Sequence, residues 1–245
     1  MHPFSYVAPK SMDEALKVLS QTEGLVKPLV GGTDLIDQIK QNRRSPSVVL
    51  DTKHIPEMMR LEYSVQDGLH IGSAVPCTDT AAYPQVASLF TALYESCQLI
   101  GSTQIQNRAS VGGNICNAAP SADTVPGLIC YSAKEITLSP RGRREIPLEE
   151  FFKGPGEHHM AQDELLLETV VPTPPPNSSC HYLRFIPRNE MDIAVAGVAT
   201  LLALKPNTRV CTQARISLAS VAPTPIRATG AEKFLEGKEI TEDLI

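Results

Sequence analysis

Two glycine pairs carry most of the chemistry this sequence offers: Val30-Gly31-Gly32-Thr33-Asp34 and Ser110-Val111-Gly112-Gly113-Asn114. Glycine has no Cβ, so the backbone can approach a ligand closely and adopt positive φ. Successive N–H groups in such turns form concavities that hold anions. A helix starting just after Thr33 or Asp34 adds unpaired N–H groups and a positive dipole end. Two such loops closing from opposite sides would clamp a pyrophosphate. Ser110 and Asn114 can donate to phosphate oxygens, whereas a carboxylate such as Asp123 suits ribose hydroxyls. Neither loop reads G-x-G-x-x-G or G-x-x-x-x-G-K-[ST], so a Rossmann or P-loop site is not indicated. Either pair alone reads as a tight turn. The second pair, however, opens a long Asn-, Ser- and Pro-containing stretch, residues 109–123, and that combination points to a ligand.

The other reactive side chains give less. The six cysteines include no C-x-x-C pair, so zinc or iron–sulfur ligation within the chain is poorly supported. They read as scattered, reduced, buried thiols. His158-His159 lies in a Gly/Pro-containing loop and reads as exposed rather than metal-binding. No side-chain nucleophile, acid–base pair or metal ligand is assigned. The net charge of -5 offers no basic face for nucleic acid. Arg141, Arg143 and Arg144 read as a solvated hairpin turn. Met1-His2-Pro3-Phe4-Ser5-Tyr6 has no signal-peptide character. The apolar run Ile193–Leu204 is shorter than the ~20 residues that span a bilayer, and it reads as a buried strand. A cytoplasmic protein with no membrane span is expected.

The elements that must position the glycine loops follow from periodicity. Ser11-Met12-Asp13-Glu14 is a capping box, and the spacing of Met12, Ala15, Leu16 and Leu19 predicts a helix over 12–20. Lys27–Val30 reads as a strand leading into the first glycine turn, with a helix after Asp34. Strands are expected at Val48–Leu50 and Leu69–Val75, a helix at 86–100, and a hairpin of 135–138 with 144–148. Another strand is expected at Leu165–Val171. Residues 101–127 show no periodicity and read as a long functional loop. Proline is abundant, 20 of 245 residues, and Pro172-Thr173-Pro174-Pro175-Pro176 reads as a linker. After it come strands at Tyr182–Ile186, Asp192–Leu204 and Arg215–Val221, and a helix near Gly230–Glu236. This last part has few elements with which to close a core, and it is expected to be incomplete or completed by a partner.

At these residues the sequence resembles the FAD-binding medium subunits of molybdenum hydroxylases, the group of xanthine dehydrogenase, carbon monoxide dehydrogenase and nicotinate dehydrogenase. The resemblance runs over essentially the whole chain. It rests on Phe4–Ser11, Val30–Leu35, Ile100–Asn114 leading to Asp123, Arg188, Asp192-Ile193-Ala194 and Ser220–Ala228. It implies an α+β chain: a two-part FAD-binding domain of the vanillyl-alcohol oxidase (PCMH) type over 1–172, a Pro-rich linker over 173–179, and a carbon monoxide dehydrogenase flavoprotein C-terminal-type domain over 180–245. By the same resemblance, Pro28, Leu29, Val30, Gly31, Gly32, Thr33, Asp34 and Leu35 wrap the FAD pyrophosphate. Ile100, Ala109, Ser110, Gly113 and Asn114 line the cofactor, Asp123 lies near its ribose, and Leu167 packs by the flavin or adenine. Arg184 stands where a xanthine-dehydrogenase-like relative has Lys at the isoalloxazine edge, and Arg is not geometrically equivalent to Lys.

The resemblance also implies partners: a molybdenum-cofactor large subunit and a [2Fe-2S] small subunit, with electrons passing through FAD to NAD⁺ or another acceptor. The chain would then be one oxidoreductase component of a larger dehydrogenase. A fixed cation such as Arg184 or Arg188 would stabilise anionic reduced flavin, although either could instead form a surface ion pair with Glu190 or Asp192. The rival reading is a self-sufficient FAD-dependent oxidoreductase of the same fold acting on a small molecule. A non-enzymatic scaffold with vestigial FAD loops is a third.

Overall fold

A computed structural model describes residues 2–188 and 191–244. The chain opens with strand β1 (Ser5–Val7), helix α1 (Met12–Gln21), β2 (Val26–Leu29), α2 (Leu35–Lys40) and β3 (Val48–Asp51). These strands form a parallel sheet in the order β1-β3-β2. Its middle strand, β3, is buried along its whole length, as a strand covered on both faces must be. Ser11 Oγ accepts the amide of Glu14, and Met12, Ala15 and Leu19 are the buried face of α1, as the capping box and spacing predict.

A second sheet is antiparallel, in the order β4-β5-β10-β6-β7. Its strands begin with β4 (Leu61–Ser64) and β5 (Gly68–Gly72). The chain then leaves the sheet through six helices: α3 (Cys77–Ala82), α4 (Pro84–Leu89), α5 (Thr91–Leu99), α6 (Thr103–Gln106), α7 (Val111–Asn117) and α8 (Thr124–Cys130). It returns as β6 (Lys134–Ser139) and β7 (Gly142–Pro147), the expected hairpin. A small pair, β8 (Phe152–Gly154) and β9 (Glu157–His158), precedes β10 (Leu165–Val171), which inserts between β5 and β6.

The helix expected over 86–100 is broken at Phe90, whose backbone leaves the helical region at φ -122° and ψ 53°. Phe90 is fully buried, its ring edge-on to Tyr63 and Tyr131 at 6.0 and 5.3 Å, and that packing fixes the kink. Residues 101–127 are not a loop but hold α6, α7 and most of α8. These helices escaped detection because each has at most seven residues, and all seven of α8 are buried, so no polar face alternates with an apolar one.

The last sheet is antiparallel: β11 (Ser178–Phe185), β12 (Ala196–Leu204), β13 (Cys211–Ala219) and β14 (Ile226–Arg227), followed by α9 (Thr229–Leu235). β11 begins four residues earlier than expected and β12 starts only at Ala196. One face of this sheet lies on α5 and α8. Cys180, Tyr182, Ala199 and Leu201 therefore belong to the same buried cluster as Phe90, Ile115 and Leu128. A second cluster, with Leu50, Ile55 and Leu165 at its centre, joins the first two sheets. No helix of the described residues is long and apolar enough to cross a membrane.

Candidate functional site

β2 ends at Leu29 and delivers the first glycine pair to the mouth of a cleft. Gly32 has φ +76°, a conformation that favours glycine. Ile36 N–H donates to Gly32 O and Gln38 N–H to Asp34 O, which starts α2. Asp34 does not cap the helix with its side chain. Among the described residues, the amides of Gly31, Gly32, Thr33, Asp34 and Leu35 donate to no protein acceptor. A row of free amides beside glycine is the donor set an anion needs.

The second glycine pair begins α7. Ser110, buried, accepts the amide of Gly113 at 3.0 Å and so serves as the N-cap. Its hydroxyl proton is still available to an outside acceptor. The two loops touch directly. A Cβ on Gly31 would stand 2.1 Å from Arg108 O and 2.8 Å from Ala109 Cα, and one on Gly113 would stand 3.0 Å from Val30 Cγ2. Gly112 presses as closely on Ser73, just past the end of β5. The absence of side chains is what allows this approach.

A cleft of about 390 Å³ lies between the first glycine loop and residues 104–108, just ahead of the second. Leu29, Gly31, Gly32 and Thr33 form one wall, and Gln104, Ile105 and Arg108 the other; Lys40 and Lys53 stand at its rim. Lys53 is bound to Asp51 at 2.7 Å. The exposed Arg108 has no carboxylate partner among the described residues. Arg108, Gln104, Lys40 and Lys53 were not singled out from sequence. Arg108 had a signal, since it lies two residues before Ser110; the lysines had none.

Other predicted residues fall in two groups. Val30 and Leu167 both pack against the second buried cluster. Leu167 sits where the pairing of β10 with β6 slips, between Leu166 and Glu168, and such a bulge re-aims a side chain. Ala109 is buried behind Gly31. Pro28 is exposed on β2, Asp34 is exposed, Leu35 is half-buried in α2, and Ile100 is half-buried at the end of α5; none of these four lines the cleft.

The second group lies at the seam between α8 and the last sheet. Asn114 Oδ1 accepts the hydroxyl of Thr124 at 2.7 Å, which ties α7 to the start of α8. Asp123, the residue before Thr124, is buried. Its Oδ1 accepts Tyr182 Oη–H at 2.8 Å and its Oδ2 accepts Arg184 Nη1–H at 2.9 Å. Burial pushes the Asp123 carboxyl up from its ordinary range, and the donors Tyr182 and Arg184 hold it back. Arg184 is buried too, and its Nε has no partner. A bare buried donor costs about 1–3 kcal/mol. Arg184 thus pairs with Asp123, not with Asp192. Arg188 pairs with Asp192 at 3.4 Å, and Glu190 lies outside the described residues.

Residues 2–174 match the family described as the FAD binding domain in molybdopterin dehydrogenase, and residues 181–245 match the CO dehydrogenase flavoprotein C-terminal domain. The chain belongs to this family. Its relatives include the carbon monoxide dehydrogenase medium chain of Hydrogenophaga pseudoflava, 32% identical over 99% of this chain and 83% of that one. The putative xanthine dehydrogenase FAD-binding subunit of Escherichia coli K12 is 32% identical over 94% of this chain and 78% of its own length. A solved carbon monoxide dehydrogenase structure from Hydrogenophaga pseudoflava superposes with a TM-score of 0.93 at 31% identity, covering all of this chain and 85% of that one. The molybdopterin dehydrogenase flavoprotein fold and FAD as cofactor follow, and the chain is an oxidoreductase component. The residues present fit FAD: free amides and a side-chain-free cradle suit its pyrophosphate.

Proposed function

We propose that this chain carries electrons from the [2Fe-2S] clusters of a small partner subunit, through its FAD, to NAD⁺ or another acceptor, while a molybdenum-cofactor large subunit oxidises the substrate. FAD supplies the electron-carrying chemistry; the chain binds, orients and electrically tunes it. The meeting of Gly31 with Arg108 and Ala109 carries the reading, because it gathers free amides and an unpaired cation where a pyrophosphate would sit. Val30, Gly31, Gly32, Thr33 and Arg108 would hold the pyrophosphate, with Ser110, Gly113 and Asn114 supporting it. Leu167 would pack by the flavin or adenine, and Arg184 would face the isoalloxazine edge. Pro28, Leu29, Asp34, Leu35, Ile100 and Ala109 complete the binding segments. The relatives are named as medium chains or FAD subunits of dehydrogenases, which supports the partners. The division into 1–172, a 173–179 linker and 180–245 belongs to the same proposal, as does a cytoplasmic location.

The test is to purify the native complex and measure flavin, iron and molybdenum, then follow flavin bleaching when substrate is added. Stoichiometric flavin, with bleaching only when the metal subunits are present, is expected. Substrate turnover by the flavin-loaded chain alone would replace this reading with a self-sufficient oxidoreductase.

A further inference from the structure

Away from the cofactor cleft, three polar side chains converge at β11, the edge strand of the last sheet. Glu95 projects from α5, and β11 occupies both of its carboxylate oxygens. Oε2 accepts the Tyr182 amide at 2.7 Å, and Oε1 lies 2.8 Å from His181 Nδ1. A carboxylate only accepts, so Nδ1 carries the proton, and in the neutral ring the Nε2 lone pair is left to accept. Ser179 Oγ lies 3.2 Å from Nε2, and its hydroxyl donates there. Ser179 and His181 are two residues apart, so they share the outer face of β11, while Cys180 and Tyr182 are buried on the other. The Ser178 hydroxyl donates to Pro175 O at 2.6 Å, which holds the start of the strand beside them. A tie between α5 and β11 needs only Glu95 and the Tyr182 amide. It does not need a serine hydroxyl on the far nitrogen of the imidazole.

We propose that Ser179 is a nucleophilic acyl-acceptor site, with His181 as its general base and Glu95 as the residue that positions the imidazole. A hydroxyl donating to a base whose other nitrogen is held by a carboxylate is the arrangement that activates a serine. The substrate class is a small activated acyl donor, a thioester or an aryl ester, because Ser179 is exposed and His181 is 61% exposed. Ser179 Oγ forms a bond to the acyl carbon as the bond from that carbon to its leaving group breaks. The serine proton passes to His181 Nε2 and from there to the departing thiolate or phenolate. Glu95 stabilises the imidazolium that forms between the two transfers. The next amide along the chain belongs to Cys180, a residue only 2% exposed, so it offers no open donor to an oxyanion. Without such a donor the acyl-serine is hydrolysed slowly, and the site holds its acyl group rather than turning over fast. This site stands apart from the FAD reading and does not depend on it.

The experiment treats the full chain, isolated with whatever subunits accompany it, with p-nitrophenyl acetate and follows acetylation residue by residue by peptide mass spectrometry. Ser179 should be acetylated faster than any other hydroxyl of the chain, and S179A should lose that label. H181N should slow the labelling of Ser179 by about a hundredfold, the scale of a positioned general base. E95Q should slow it by about tenfold or more, since the ring then loses the carboxylate that fixes its tautomer. E95D should restore part of that rate. Acetyl groups on lysines alone, or Ser179 labelled at the parent rate in H181N, would overturn the proposal. If E95Q also lowers the melting temperature, as loss of the tie to α5 would, H181N decides. Its substitution lies on an exposed face, so slowed labelling in a protein that melts like the parent supports the proposal, and unchanged labelling sinks it.

Discussion

The α-carbon of Gly31 rests against the backbone carbonyl of Arg108, so close that a Cβ would stand 2.1 Å from that oxygen. Two segments remote in sequence are thereby locked together where the two walls of the cleft meet. The obstacle is backbone, which cannot swing aside as a side chain can. Gly113 is different: its Cβ would meet Val30 Cγ2 and Ser110 Oγ, both at 3.0 Å and both able to give. G31A should therefore cost more than G113A. We expect G31A to raise the FAD dissociation constant at least a hundredfold or prevent folding, and G113A to raise it less than tenfold. Fluorescence titration of the apo-protein checks this, and equal effects would contradict it.

Arg108 lines the cleft with no carboxylate partner among the described residues. A charge-assisted hydrogen bond is worth about 1.5–3 kcal/mol. R108Q should weaken FAD binding by roughly tenfold or more on that scale. Exposed charges are screened by salt, so the deficit should shrink between low salt and half-molar salt. A deficit that ignores ionic strength would mean Arg108 acts through packing alone.

Local order was legible in the sequence where one element carried its own signal. Ser11 and Glu14 announced α1, and Gly142 at φ +113° marks the hairpin turn that Pro140-Arg141-Gly142 predicted. The glycine loops were legible as ligand-binding backbone, and their ligand came from the resemblance. What stayed hidden required distant residues. Asp123 meets Arg184 across 61 positions, and no local spacing encodes that pairing. Likewise α8 carries no periodicity because it is buried on every side. The lysines at the cleft rim are ordinary surface residues until β2 and β3 are laid side by side.

Ser110 caps α7 whether or not a ligand is bound. Its hydroxyl oxygen takes the Gly113 amide at 3.0 Å inside a buried turn. Losing a serine N-cap costs about 0.5–2 kcal/mol. S110A should lower the melting temperature of the FAD-free protein by about 2–4 °C per kcal/mol lost, and S110T should restore part of it. If Ser110 acted only on a bound phosphate, the FAD-free protein would melt unchanged.

Glu135 gives a pH-dependent stability. It lies on β6, fully buried; Oε2 accepts the Thr169 hydroxyl at 2.8 Å and Oε1 has no partner. Burial pushes its carboxyl from 4.5 to about 8, against the smaller opposing effect of Thr169. A raised folded-state pKa means the folded protein holds a proton that the unfolded chain releases. The neutral carboxyl's contribution is therefore fully present below the unfolded value of 4.5 and is lost as pH rises through about 8. E135Q removes the titration while keeping an acceptor for Thr169. Its stability relative to the parent should climb from pH 5 to pH 8, by an amount on the order of 2–4 kcal/mol. Urea unfolding at the two pH values measures it. An E135Q-minus-parent difference that stays constant with pH would show that Glu135 is already ionised in the folded protein.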